Sequence, residues 1–198
     1  MQENQLENLI RTNRSYRRFY QATAIKTETL RELVNLARLS ASAANFQPLK
    51  YMLVNEPAQN AHVFSTLGWA GYLKNWDGPQ EGERPAAYIV ILNDTKIAKT
   101  AKHDAGIALQ SILLGAGTRG LGGCTFGSVK RPKLREAFQI PEQYEILLVL
   151  ALGKPKEQVQ IDPLGQDGDI KYWRDEKGVH HVPKRSLDEI ILEIISET

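Results

Sequence analysis

The densest chemistry lies early in the chain, where Arg14-Ser15-Tyr16-Arg17-Arg18 places three guanidiniums and two hydroxyls within five residues. A guanidinium offers its N–H donors as a planar fork that meets phosphate oxygens two at a time, so the cluster suits a phosphate. A solvated basic turn is the competing reading, because charge runs ordinarily face water. Far along the chain, Lys184-Arg185 precedes Ser186. Two cations beside a helix N-terminus, whose first amides lack partners, would make the second half of an anion site. Gly115-Ala116-Gly117-Thr118-Arg119-Gly120 spells G-x-G-x-x-G, but a dinucleotide-binding turn must follow a strand and open a helix. The preceding residues 104–114 have helical periodicity, so these glycines close a helix instead. Cys124, with His62, His103, His180 and His181 as possible partners, is the remaining candidate for nucleophilic or metal chemistry. Its spacing gives that chemistry no support. A lone cysteine in a short apolar strand is ordinarily packing, and His180 and His181 alternate across a strand and cannot share one ion.

These groups need elements to hold them. Leu6, Leu9 and Ile10 predict a short amphipathic helix closing near Asn13, which delivers the chain directly to the arginines. Thr27 is placed to cap a second helix, with Leu30, Leu33, Val34 and Ala37 as its apolar stripe and an end near Ser40. Residues 40–48 are small, polar and broken by proline, and lead into a strand at 51–54. A third helix is predicted from Pro57 to about Leu67, followed by residues 68–84, rich in Gly, Trp, Tyr and Pro and suited to a pocket wall. Strands follow at 86–92, 123–126 and 146–152, the last apolar on both faces, with helices at 103–118 and 132–138. A long helix between strands is a crossover, which implies a parallel or mixed sheet. Residues 175–178 form a turn before a strand at 179–182. Ser186 and Glu189 make a capping box for a last helix with Leu187, Ile190, Ile191 and Ile194 as its stripe.

A chain of 198 residues with 42% hydrophobic and 24% charged residues fits one ordered globular domain over 1–198. Twenty-five basic against 23 acidic residues leave +2, too even for a nucleic-acid or anionic-membrane surface, so any anion site is local. The longest apolar run is far short of the ~20 residues that span a bilayer, and no signal-peptide core is visible, so a cytoplasmic protein is expected. The single cysteine excludes an internal disulfide and a cysteine-based zinc motif.

Taken together, the motifs resemble the FMN-dependent nitroreductase family, in an order that covers nearly the whole chain. Arg14-Ser15-Tyr16-Arg17 resembles its N-terminal phosphate motif. Ser42-Ala43-Ala44-Asn45-Phe46-Gln47-Pro48 resembles its small-residue loop ending in Asn-x-Gln-Pro. Asp104-Ala105-Gly106 and its helix, then Gly120-Leu121-Gly122-Gly123-Cys124, resemble the central helix and its following strand. Leu152-Gly153-Lys154-Pro155 and Lys184-Arg185-Ser186 resemble the closing strand and the C-terminal basic element.

The resemblance implies an α+β fold, with a central mixed sheet flanked by helices, in a domain-swapped type of homodimer. It implies that Arg14, Ser15, Tyr16 and Arg17, with Lys184 and Arg185, hold the FMN phosphate. The Ser42, Ala43, Asn45 and Gln47 loop would serve flavin bound mainly by the other subunit, and Thr125, Phe126 and Gly127 would lie beside the isoalloxazine. FMN would be bound noncovalently, with NADH or NADPH as cosubstrate in a ping-pong reaction and a nitroaromatic, quinone, enone or free flavin as acceptor. The protein would supply orientation and the cofactor the chemistry. A flavin-binding carrier or sensor without NAD(P)H turnover is the alternative, and a dinucleotide-fold dehydrogenase a more distant one. Two departures stand out: the short middle at 68–84 leaves little room for a helical excursion over the flavin, and Gly127 stands where some members carry an acidic residue near N5.

Overall fold

The computed structural model describes residues 5–74 and 76–195. Its helices are α1 (Gln5–Thr12), α2 (Thr27–Arg38), α3 (Pro57–Phe64), α4 (Lys102–Gly117), α5 (Arg131–Phe138) and α6 (Leu187–Ile190), with a short 3-10 turn at Ala43–Asn45. Its strands are β1 (Leu49–Val54), β2 (Ala87–Asp94), β3 (Gly122–Phe126), β4 (Tyr144–Gly153), β5 (Val159–Pro163), β6 (Trp173–Arg174) and β7 (His180–Lys184). The first four form one sheet in the order β1-β2-β4-β3, and the last three a small sheet in the order β5-β7-β6.

The apolar runs in β2 and β4 put those strands at the centre, because strands covered on both faces need no polar alternation. β2 is buried at all eight positions. On one face, Leu30 and Leu33 of α2 and Ile112 of α4 pack with Ile89, Ile91, Leu150 and Leu152. On the other, Val63 of α3 and Leu134 of α5 pack with Tyr88, Val90, Phe126 and Val149. Among the described residues, no helix is long and apolar enough to cross a membrane.

All ladders of the four-stranded sheet are antiparallel. The α4 crossover makes β2 and β3 run in one direction, but β4 lies between them. Parallel pairing enters elsewhere: Ser15 bridges Gly123 beside β3, and β5 pairs with β7. The glycines of the G-x-G-x-x-G run do structural work at the helix end. A Cβ on Gly115 would stand 2.2 Å from Leu36 Cδ1, so its absence lets α2 and α4 approach. Gly120 holds φ +67 in the turn, where Leu121 N donates to Ala116 O at 3.0 Å.

Several expected elements differ. Thr27 begins α2 without capping it; Lys26 holds the cap position, and Thr27 Oγ1 accepts from Asn55 Nδ2 at 3.1 Å. α3 stops at Phe64 because Leu67 turns away to bridge Val129. The turn at 175–178 is present, with Gly178 at φ +82. β5 and β6 had no expectation; β6 is only two residues long and leaves no periodicity to read. The capping box of Ser186 and Glu189 is present, yet α6 has four residues, and Ile191 is already extended. Its expected buried stripe is exposed, with Leu187 at 66% and Ile194 at 77%, because none of the described residues covers it.

Gly123 is where the sheet tolerates no side chain, since a Cβ there would meet Ala151 O at 2.7 Å and Leu113 Cδ2 at 2.9 Å. Gly123→Ala is expected to destabilise the fold by about 1–3 kcal/mol, read as a lower urea midpoint at unchanged m-value.

Candidate functional site

The arginine cluster is tied to the sheet by its backbone. Tyr16 N donates to Gly123 O at 3.0 Å, and Phe19 bridges Pro155 beyond the end of β4. Glu157 completes the attachment: its Oε1 accepts from the amides of Arg17 and Arg18, and its Oε2 accepts from Arg174 Nη2 at 2.9 Å. The carboxylate is itself buried, so it accepts charge-assisted bonds where water is scarce.

This attachment sets a cleft of about 350 Å³ along the edge of β3. Asn13, Arg14, Ser15 and Arg17 line one side, Gln110 and Leu113 of α4 and Gly123 and Thr125 of β3 the floor, and Tyr172, Val182 and Lys184 the far side. The two cationic segments anticipated from the sequence thus meet, although they lie more than 160 residues apart. Arg14, Arg17 and Lys184 contribute positive charge, and among the described residues no carboxylate lines the cleft or is ion-paired to these three. Arg14 Nη2 donates to Ile10 O at 2.9 Å, but Nε is buried without a partner among the described residues. Burial pushes that guanidinium below its ordinary value. A desolvated, uncompensated cation is costly, and an anionic ligand is what would relieve it.

Arg17 is buried and held from several directions. Nη1 donates to Ser15 O at 3.3 Å and lies 3.0 Å from His180 Nε2, and Cζ sits 4.5 Å from the centre of the Tyr172 ring. His180 is fully buried, and burial together with Arg17 and Arg174 pushes it down to about 4. It is therefore neutral near pH 7, and Nε2 is the acceptor.

Other expected site residues are not in the cleft. Tyr16 donates its hydroxyl to Thr12 O at 2.8 Å, and its ring closes over Gly122. Arg185 is exposed and donates to Glu189 Oε1 at 3.1 Å, so of the C-terminal pair only Lys184 lines the cleft. The Phe126 side chain faces the core, edge-on to Trp69 with ring centres 4.6 Å apart, while Gly127 follows β3 exposed. Arg18 is not a plain surface charge. It forms a two-pronged pair with Glu83, both bonds 2.6 Å, and Lys156 reaches the same carboxylate at 2.9 Å. The Arg18 bond above all pulls Glu83 down to about 2.

The loop carrying Ser42, Ala43, Asn45 and Gln47 is organised by Asp104. Ser42 Oγ donates to Asp104 Oδ2 and Ala43 N to Oδ1 at 3.2 Å, while Ser42 Oγ accepts from Gln47 N at 2.9 Å. Ala44, Asn45 and Gln47, on either side of a right-handed Phe46, have φ of 47, 57 and 52, values that non-glycine residues adopt only when held. Asp104 and the cleft residue Leu113 are nine residues apart on α4, hence on opposite helix faces and about 13 Å apart along the axis. Within one chain, the loop and the cleft do not meet.

The aromatic segment at 68–84 forms a wall, but mainly against other protein groups. Tyr72 packs on Tyr172 with ring centres 5.0 Å apart, and Trp76 lies under Arg174 at 5.0 Å. Cys124 is buried, which pushes its thiol up to about 11, so it is protonated and shielded. No group of His, Cys, Asp or Glu among the described residues could hold a metal. Sequence reasoning missed Asn13, Gln110, Leu113, Tyr172 and Val182; Gln110 alone carried a signal, as a polar residue within an apolar helix.

The family model named Nitroreductase family matches residues 10–154. The chain belongs to the nitroreductase family. It is accordingly an oxidoreductase. A protein of Archaeoglobus fulgidus, assigned by name to the NADH dehydrogenase/NAD(P)H nitroreductases, is 28% identical over 158 residues, spanning 76% of this chain and 85% of that one. The fold is similar to a nitroreductase-like protein from Streptococcus mutans, with a TM-score of 0.69, 14% identity and coverage of 98% of this chain and 99% of that one. It is also similar to an Exiguobacterium sibiricum nitroreductase in complex with FMN, with a TM-score of 0.65, 14% identity and coverage of 79% and 91%. The family match ends at 154, so Tyr172, His180 and Lys184 belong to the segment beyond it.

Two outcomes follow from the buried charges. Arg18→Ala leaves Glu83 with Lys156 alone and is expected to cost about 1–3 kcal/mol by urea unfolding, below the loss for a fully buried pair because Arg18 is partly exposed. Between pH 6.5 and about 4 the unfolded chain protonates His180 while the folded one does not. Stability should therefore be full above that window and fall as pH drops through it, and His180→Phe should flatten the fall.

Proposed function

We propose that the cleft binds the phosphate of FMN and that the chain passes hydride from NADH or NADPH through this cofactor to a small acceptor. The observation that carries this is the meeting of Arg14, Arg17 and Lys184 in one carboxylate-free cleft, with a buried Arg14 Nε that lacks a partner. The donor set fits a phosphate: two guanidinium forks, an ammonium and the hydroxyls of Ser15 and Thr125. Bound FMN would supply reversible hydride acceptance, and the two half-reactions would alternate in a ping-pong cycle. Arg14, Ser15, Arg17 and Lys184 would bind and orient, while the end of β3 at Thr125 to Gly127 would offer backbone groups to the ring. Cys124, buried and protonated, is not placed to act as a nucleophile.

We further read the protein as a homodimer. Because the Ser42 to Gln47 loop is held on the face of α4 opposite the cleft, its Asn45 and Gln47 would serve a site on a second copy. The exposed Leu187, Ile190, Leu192, Ile194 and Ile195 supply apolar surface for such an interface. The cleft draws on residues from 13 to 184, which supports treating 1–198 as one domain. A nitroaromatic, quinone, enone or free flavin would be the acceptor, identified by steady-state assays with the reconstituted protein.

Arg17→Ala is expected to weaken FMN affinity by roughly 30- to 1,000-fold, since two charge-assisted bonds contribute about 2–4 kcal/mol. Riboflavin, which lacks the phosphate, should bind as it does to the unchanged protein, and stopped-flow reduction at saturating FMN should keep its rate. Equal losses for both flavins would place the phosphate elsewhere. Cys124→Ser should leave both quantities unchanged; a rate loss beyond ~100-fold would restore the thiol as a participant.

A further inference from the structure

We propose that His180 and Tyr172, both beyond the family-matched region, are positioning residues that fix the Arg17 guanidinium in the orientation the phosphate meets. The proposal rests on the FMN reading above for its ligand, but its geometry stands on the protein alone. Arginine side chains carry about 2 kcal/mol of rotamer entropy, and a ligand that had to order one would bind correspondingly less tightly. Here the ordering is done in advance. The Arg17 backbone is held by Glu157, its Nη1 lies 3.0 Å from His180 Nε2 and donates to Ser15 O, and its plane is covered by Tyr172 at 4.5 Å. Tyr172 in turn packs against His180 with ring centres 5.2 Å apart, so the three groups form one cluster. Both anchored donors are on Nη1, and Nε and Nη2 have no protein partner among the described residues. That edge of the fork is the one a phosphate uses in a bidentate contact.

The arrangement requires a neutral imidazole. An imidazolium at His180 would have no lone pair to offer and would stand beside the cations of Arg17 and Arg174. No carboxylate among the described residues compensates it: Glu157 is bonded to Arg174 and to backbone amides, and Asp162 and Asp175 face His181 on the other side of β7. Burial and these two cations hold the ring uncharged, with the proton on Nδ1, which has no partner among the described residues. Among the described residues, the only polar contact of the ring is therefore Arg17, which is what a positioning role predicts and a packing role does not.

The test is equilibrium binding of FMN and of riboflavin to flavin-free protein, for the unchanged chain, His180→Phe, His180→Gln, Arg17→Ala and the Arg17→Ala/His180→Phe pair. His180→Phe should weaken FMN by roughly 5- to 30-fold, up to the arginine ordering that the ligand must then supply, and leave riboflavin within about 2-fold. His180→Gln, whose amide oxygen still accepts, should recover most of the loss. In the Arg17→Ala background, His180→Phe should change nothing further, because its effect travels through the absent guanidinium. An equal effect with Arg17 present and absent, or parallel losses of FMN and riboflavin, would overturn the proposal. If Arg17→Ala alone leaves FMN binding unchanged, the phosphate reading fails, and imidazole nitrogen-15 spectra of flavin-free protein decide the positioning claim. A His180 ring that keeps its proton on Nδ1, stays neutral at pH 5.5 and shifts on Arg17→Ala sustains it; titration near 6.5 or indifference to Arg17→Ala rejects it.

Discussion

One carboxylate holds the candidate site together. Glu157 lies just past the large sheet and accepts from the amides of Arg17 and Arg18 and from the side chain of Arg174. It thereby joins the N-terminal arginine segment to the small sheet, two regions that have no regular secondary structure in common. Its charge also lies close behind the cationic cleft. The site can concentrate positive charge because its backbone is anchored by a buried acceptor that those cations do not neutralise. Without this attachment, three repelling cations would favour a segment that swings into water, the solvated basic turn that composition alone allows.

The sequence exposed most of the large elements and about half of the site, and the division has a physical basis. Apolar runs such as 146–152 and stripes such as Leu30, Leu33 and Ala37 are driven by burial, which period and hydrophobicity report directly. Arg14, Arg17 and Lys184 were legible because charge clusters are conspicuous, and Ser42 because its loop has a recognisable order. Tyr172 and the two-residue β6 were not, since their places come from contacts with Arg17 and β7 and not from any local pattern. The expected burial of the C-terminal stripe failed for a related reason. An apolar periodicity states that a surface needs covering, but not which chain covers it.

The loop with left-handed Ala44, Asn45 and Gln47 shows a different use of an acidic residue. Asp104, buried in the first turn of α4, accepts from both Ser42 and Ala43, so the loop is ordered by the same helix whose other face floors the cleft. A single rigid helix thus presents two surfaces that point apart. In the homodimer proposed above, each would complete the other copy's site, which is the isologous logic of a two-fold interface.

Neighbouring residues in the arginine segment divide the work because the bridge of Ser15 to Gly123 and the Glu157 anchor fix where each side chain turns. Ser15 and Arg17 turn toward the cleft, whereas Tyr16 closes on Gly122 and Arg18 reaches Glu83. Two consecutive arginines therefore carry opposite burdens: Arg17 keeps a fork edge without a protein partner among the described residues, and Arg18 neutralises a buried carboxylate. The bridge from Ser15 to Gly123 fixes which is which, since a slip of one residue would exchange the faces. It would place Arg18 in the cleft and Arg17 against Glu83, and the amide pair that Glu157 accepts would lose its register. Which arginine faces the cleft is thus a matter of strand register before it is a matter of charge, and that register depends on Gly123, where the packing admits no side chain.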